Sequence, residues 1–191
     1  MKQLVNRFGT MLLAALLVSC VPSWNALYTD KDLTFEPALA GTWKDKDDKE
    51  TWLFEKADDK SYKLTHTDED KRVGKFEAHL LKLGSRTFLD LYVTEASQKD
   101  LEFNVLARAM VVPAHLFLRV DQIGDSLKLA APNPDWLQKH LDANPKAIAC
   151  RKTGDGQLIF TAETKELQAF VIKHADGEAL FGEPFVLKPS S

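Results

Sequence analysis

The residues able to do acid–base, nucleophilic or metal chemistry are few in this chain and scattered. His66, His79, His115, His140 and His174 stand singly. None belongs to an H-x-x-x-H or HExxH pair and no Cys/His cluster has zinc spacing, so no metal site is expected. Thr67-Asp68-Glu69-Asp70 is acidic but lacks the central glycine and closing glutamate of a calcium loop. Lys46-Asp47-Asp48-Lys49-Glu50 alternates in sign, as a solvated surface does. No glycine-rich loop precedes a helix to cradle phosphate, and no cofactor is expected. Asp90 is the one acid in the apolar run Phe88-Leu89-Asp90-Leu91, where it is expected to face solvent or satisfy a turn. Cys150 follows Ala147-Ile148-Ala149, an apolar context that predicts a buried, inert thiol rather than a reactive one, although Arg151 and Lys152 adjoin it.

Gly124-Asp125-Ser126-Leu127 resembles the nucleophile motif of the GDSL esterases, which implies Ser126 as nucleophile and a late Asp-x-x-His to complete a triad. The residues three before the histidines are Lys63, Phe76, Val112, Leu137 and Val171, so that partner motif is missing. A serine without a positioned base is a weak nucleophile. Gly124-Asp125 also suits a tight turn between two strands. The esterase reading is therefore rejected. A hydrolase site assembled from distant residues, with Ser126 or Asp90 and one of the histidines, is kept as the alternative function.

The first nineteen residues hold Lys2 and Arg7, no acid, and the apolar run Met11 to Val18. A positive segment followed by a short apolar one is the pattern of a secretory signal peptide. The run is well short of the about 20 residues a spanning helix needs. Leu17-Val18-Ser19-Cys20 resembles the lipobox of bacterial lipoproteins. The resemblance implies a diacylglyceryl group on the Cys20 sulfur, cleavage between Ser19 and Cys20, and Cys20 as the acylated first residue. Val21 rather than Asp at the next position resembles the outer-membrane sorting pattern, which places the protein on the periplasmic leaflet of the outer membrane if the source is Gram-negative.

Removing Lys2 and Arg7 from 25 basic residues leaves 23 against 28 acidic ones, a net charge of −5. That argues against a nucleic-acid-binding domain and against electrostatic docking on anionic lipid. With one cysteine committed to lipid, Cys150 has no intramolecular partner and no disulfide framework is expected.

Residues 20–37 show no sustained period and read as an acylated tether. Within it Trp24, Leu27 and Tyr28 either dip into the membrane interface or pack on the domain edge. Residues 38–191 read as one β-rich domain. Alternation at Trp52/Phe54, Tyr62/Leu64/His66, Phe76/Ala78/Leu80, Leu89/Leu91/Val93 and Leu116/Leu118/Val120, with turn residues between, marks an antiparallel meander. Within the least regular stretch, residues 95–109, Glu95 to Asp100 reads as a loop, and Leu101 to Met110 is ambiguous between strand and short helix. Asn133 caps a helix with Pro134 at its first position, ended by Asn144-Pro145. A second helix spans about Ala162 to Ala175, with Leu167, Phe170, Val171 and His174 on one stripe and Gly177 as its stop. Thr153-Gly154-Asp155-Gly156 turns a hairpin between the helices. Leu180-Phe181 and Phe185-Val186-Leu187 are candidates to close the sheet.

Leu39-Ala40-Gly41-Thr42-Trp43, followed by meander strands, resembles the opening of lipocalin-like barrels over roughly residues 38–130. The resemblance implies that Gly41 allows close backbone approach, that Trp43 plugs the closed end, and that the interior can hold an apolar ligand. The expected fold is thus mainly β: an antiparallel meander forming a lipocalin-like barrel or half-barrel, with two helices in the C-terminal third. An α+β fold with an open antiparallel sheet is the alternative. The expected function is a non-catalytic envelope lipoprotein, held to the membrane through lipid on Cys20, that binds an apolar small molecule or an envelope protein. A purely structural role in an envelope assembly is the third reading.

Overall fold

The computed structural model describes residues 20–94, 111–176 and 180–190. Residues 1–19, read above as a signal peptide ending at Ser19, the 95–109 segment and Gly177 lie outside the described residues.

The alternating runs form seven consecutive antiparallel strands: β2 (Gly41–Lys44), β3 (Thr51–Lys56), β4 (Tyr62–Thr67), β5 (Val73–Leu83), β6 (Arg86–Val93), β7 (His115–Gln122) and β8 (Leu127–Ala130). The ring is closed by β11 (Phe185–Ser190), whose first half pairs with β8 and whose second half pairs with β2. The fold is mainly β, a closed eight-stranded antiparallel barrel with two helices in its C-terminal part. The strand that completes it comes from the far end of the chain, beyond the 38–130 stretch with the lipocalin-like pattern. A short β1 (Leu33–Thr34) pairs with β5 at Leu81 and Leu80, beyond the residues that β4 covers.

Side chains alternate across each strand, so the barrel wall has two apolar faces. The inner one collects Trp43, Trp52, Phe54, Leu64, Leu80, Leu89, Leu118 and Leu129 into one packed cluster. Trp43 is 3 % exposed, and its Nε1 donates to Leu39 O at 2.9 Å in the 3₁₀ turn Pro37–Leu39 just before β2. Gly41 adopts φ 134°, a conformation side chains resist, but a Cβ there would meet nothing within 4 Å. The glycine serves backbone conformation, not the close approach expected of it.

The outer face of β5–β8 is apolar too, with Leu81, Leu83, Phe88, Phe117 and Ala130. It is covered by α1 (Pro134–Ala143), the hairpin β9 (Cys150–Lys152) and β10 (Leu158–Phe160), and α2 (Thr164–Lys173). Asn133 caps α1 by accepting from Trp136 N at 3.0 Å, with Pro134 inside the first turn. Leu167, Phe170 and Val171 put the buried stripe of α2 onto that face, as their spacing requires.

The segment read as a tether is laid along this outer cluster. Val21 is 1 % exposed and Leu27 is fully buried. Ser23 exchanges two backbone hydrogen bonds of 2.8 Å with His115 on β7, while Phe160 N donates to Pro22 O and Trp24 N to Phe160 O. The strap therefore sews the β9–β10 hairpin to the barrel. Thr164 Oγ1 donates to Ala26 O, and Gln168 Nε2 to Leu27 O, tying the strap to α2. Its burial comes from partners more than sixty residues away, which is why it shows no local period.

Candidate functional site

The titratable side chains gather on the outer face beneath the strap. Because Leu89 and Leu91 face inward, Asp90 must face outward; yet it is 0 % exposed, for the strap covers it. The expectation that it faces solvent is corrected by this cover. Its Oδ2 accepts from Leu27 N at 2.9 Å, and its Oδ1 lies 2.6 Å from His115 Nδ1. β6–β7 pairing sets Tyr92 opposite His115, and β5–β6 pairing sets His79 opposite Asp90. Tyr28 of the strap lies over His79, ring centroids 4.5 Å apart, and Tyr92 lies 4.7 Å from the His115 ring. His79 Nε2 is 3.4 Å from Glu77, while its buried Nδ1 has no hydrogen-bond partner among the described residues.

Burial pushes the Tyr28 phenol up to about 12, and the charges of Asp90, Glu77 and Asp30 add to the effect. Tyr28 is thus a protonated donor at neutral pH, not a base. A carboxylate that holds an imidazole by Nδ1 leaves Nε2 as the nitrogen able to take a proton. That is half of a catalytic arrangement. The nucleophile half does not join it. Ser23, backbone-paired to His115, spends its Oγ on Asn25 O at 2.7 Å. Ser126 sits in the β7–β8 turn where Gly124 takes φ 148°, at the opposite end of β7 from His115. Seven residues of strand separate those ends, about 23 Å. The structure brings Asp90 to a histidine and keeps Ser126 away from both.

The other histidines divide by location. His66 faces the inner cluster against Trp52, ring centroids 4.9 Å apart, with Glu50 at 3.6 Å. His140 and His174 meet between α1 and α2 at 4.9 Å, with Trp136 stacked on His140. Burial lowers the His174 pKa, and the neighbouring His140 and Lys173 lower it further. Beside them is an open cleft of about 510 Å³ lined by Asn144, Pro145, Lys146 and Lys173. No group of three metal-ligating side chains exists among the described residues.

Cys150 is half-buried rather than buried as its apolar neighbours predict, and burial raises its thiol to about 11. Cys20 begins the strap beside the hairpin turn, where Gln157 Nε2 donates to its carbonyl at 3.5 Å. Arg119, also on the outer face, was not singled out by the sequence. It grips Asp121 through two nitrogens at 2.6 and 2.9 Å and donates to Ala175 O at 2.9 Å, fixing the end of α2.

Fold and site together define a packed, covered β-barrel with a buried aspartate held against a part-buried histidine and no complete catalytic set among the described residues. No protein-family model, curated protein or solved structure matches the chain.

Proposed function

We propose that this protein is a bacterial envelope lipoprotein, anchored by lipid on Cys20, that acts without catalysis by binding an envelope protein. The observation that carries the reading is Leu17-Val18-Ser19-Cys20 closing an apolar run behind Lys2 and Arg7. Each acyl CH₂ buried in the bilayer contributes about 0.8 kcal/mol, so a diacylglyceryl group with a further chain holds where a single chain binds marginally. A protein partner is favoured over an apolar small molecule because the described inner face is occupied by its own aromatic and aliphatic side chains. Metabolic labelling with an alkynyl fatty acid tests the anchor. Wild type should carry the label and sediment with membranes, and Cys20→Ala should lose the label and stay soluble. For the binding role, soluble mature chain should retain an envelope protein on affinity capture. Recovery of neither a partner nor an extractable ligand would count heavily against it.

The Asp90–His115 contact supports the second reading, an envelope hydrolase. Broad esterase and glycosidase screening should give the same background rates for wild type, Ser126→Ala and His115→Ala. A rate lost in either variant would establish the hydrolase.

A further inference from the structure

The strap has no slack between Cys20 and the folded body. Val21 and Ser23 point into the outer cluster, 1 % and 0 % exposed, and the backbone of Pro22, Ser23 and Trp24 is fixed on both sides by β7 and β10. Cys20 and Pro22, on either side of Val21, are half-buried, and Trp24 lies at a bend just after the Ser23 bridge, on the side away from the cluster. Trp24 is 49 % exposed there.

Strand pairing extends that side. Ser23 bridges Phe160 and Phe160 pairs with Cys150, all on the inward face, so Ile159 and its partner Arg151 lie on the outward face beside Pro22 and Trp24. Arg151 is exposed and Ile159 half-buried. The strap and the hairpin beside it thus bring together Cys20, a proline, an exposed indole, an aliphatic side chain and a guanidinium.

We propose that this surface is the bilayer-docking face of the protein, with Trp24 seated at headgroup level and Arg151 on lipid phosphate. The proposal rests on the Cys20 anchor proposed above. With lipid on Cys20, the sheet can move no more than a side chain's length from the bilayer. Trp24 lies only about 13 Å along the strap, at four residues of about 3.3 Å each. Indole prefers the membrane–water interface, where its ring is sheltered and its N–H stays hydrogen-bonded. Arg151 supplies local positive charge on a chain whose mature net charge is −5, so its contact with lipid phosphate adds to the apolar one and that share should weaken with salt.

The test uses acylated full-length protein in vesicles of phosphatidylethanolamine and phosphatidylglycerol whose acyl chains are brominated near the glycerol. The Trp24 signal is the emission lost on Trp24→Phe, an exposed substitution that leaves the packed tryptophans in place. That signal should lose most of its intensity to the brominated lipid and be shielded from aqueous iodide. Arg151→Glu should reduce the lipid quenching while acylation is unchanged. If the acylated, membrane-bound protein shows Trp24 quenched by iodide as fully as in soluble Cys20→Ala, the docking face is wrong and the anchor stands. If Cys20 carries no acyl group, the anchor falls and the docking face falls with it.

Discussion

The two faces of the barrel wall are both buried, but by different means. The inner face is enclosed by the strands themselves, and its cluster is almost wholly hydrocarbon and aromatic. The outer face of β5–β8 is enclosed by pieces from the strap, two helices and a hairpin, and it buries Asp90, His79 and Arg119 besides its apolar residues. Burying a charge without partners is costly, so Asp90 and Arg119 must each be held by something specific. Asp90 takes a backbone N–H from the strap and an imidazole from β7; Arg119 takes a carboxylate and the end of α2. The inner core specifies a ring mainly by packing, with few polar contacts such as Trp43 Nε1 to Leu39 O. The outer one specifies which remote segment lies where.

That contrast is most sharply tested at Phe88 and Leu89, adjacent and both fully buried, one on each face. Phe88→Ala should cost about 3–5 kcal/mol and Leu89→Ala about 2–5 kcal/mol in urea unfolding. Hydrogen exchange should separate them. Phe88→Ala should release the amides of α2 and the strap before those of β3 and β4, whereas Leu89→Ala should weaken all together. Identical patterns would show one cooperative core and erase the distinction.

Asp90→Ala is the next largest test. It strands the buried Leu27 N–H and His115 Nδ1, at a cost of about 3 kcal/mol, with Asp90→Asn recovering part of it by keeping an acceptor. Proteolysis within the strap should rise in Asp90→Ala. An unchanged strap would mean that the carboxylate does not hold it.

His174 gives a smaller effect with a defined sign. Its folded pKa lies below the usual 6.5. As pH falls, the unfolded chain takes up the proton first. Stability should thus be complete above pH 6.5 and be lost as pH drops toward the lower folded value. His174→Phe should flatten that slope in denaturant midpoints measured across the mildly acidic range. The smallest effect belongs to the exposed Arg86–Asp176 pair, 2.7 Å through Nε, where Arg86→Ala should change stability by no more than about 1 kcal/mol.

Local patterns made the meander, the α1 cap and the β9–β10 turn legible, because each is dictated within a few residues. The strap was not legible. Val21, Ser23 and Leu27 are buried by β10, β7 and α2, so no spacing within 20–37 announces them. Asp90 and His115 were each visible as polar residues out of phase with inward leucines. Phase alone assigns such residues to the outside of a barrel; only the cover makes that outside an interior. β11 was legible as far as Leu187, but Lys188-Pro189-Ser190, which pairs with β2, has no strand-like alternation.

The late position of β11 has a consequence for how the molecule comes into being. Thr42 pairs with Ser190 and Trp43 with Pro189, so the ring is locked by its most non-local pairings. Closing so long a loop carries an entropic cost before the contact returns anything, and topologies of this kind fold slowly. Until residues 185–190 dock, β2 and β8 have unpaired edges. The aggregation risk of the chain is therefore concentrated at two sheet margins that a single six-residue strand covers.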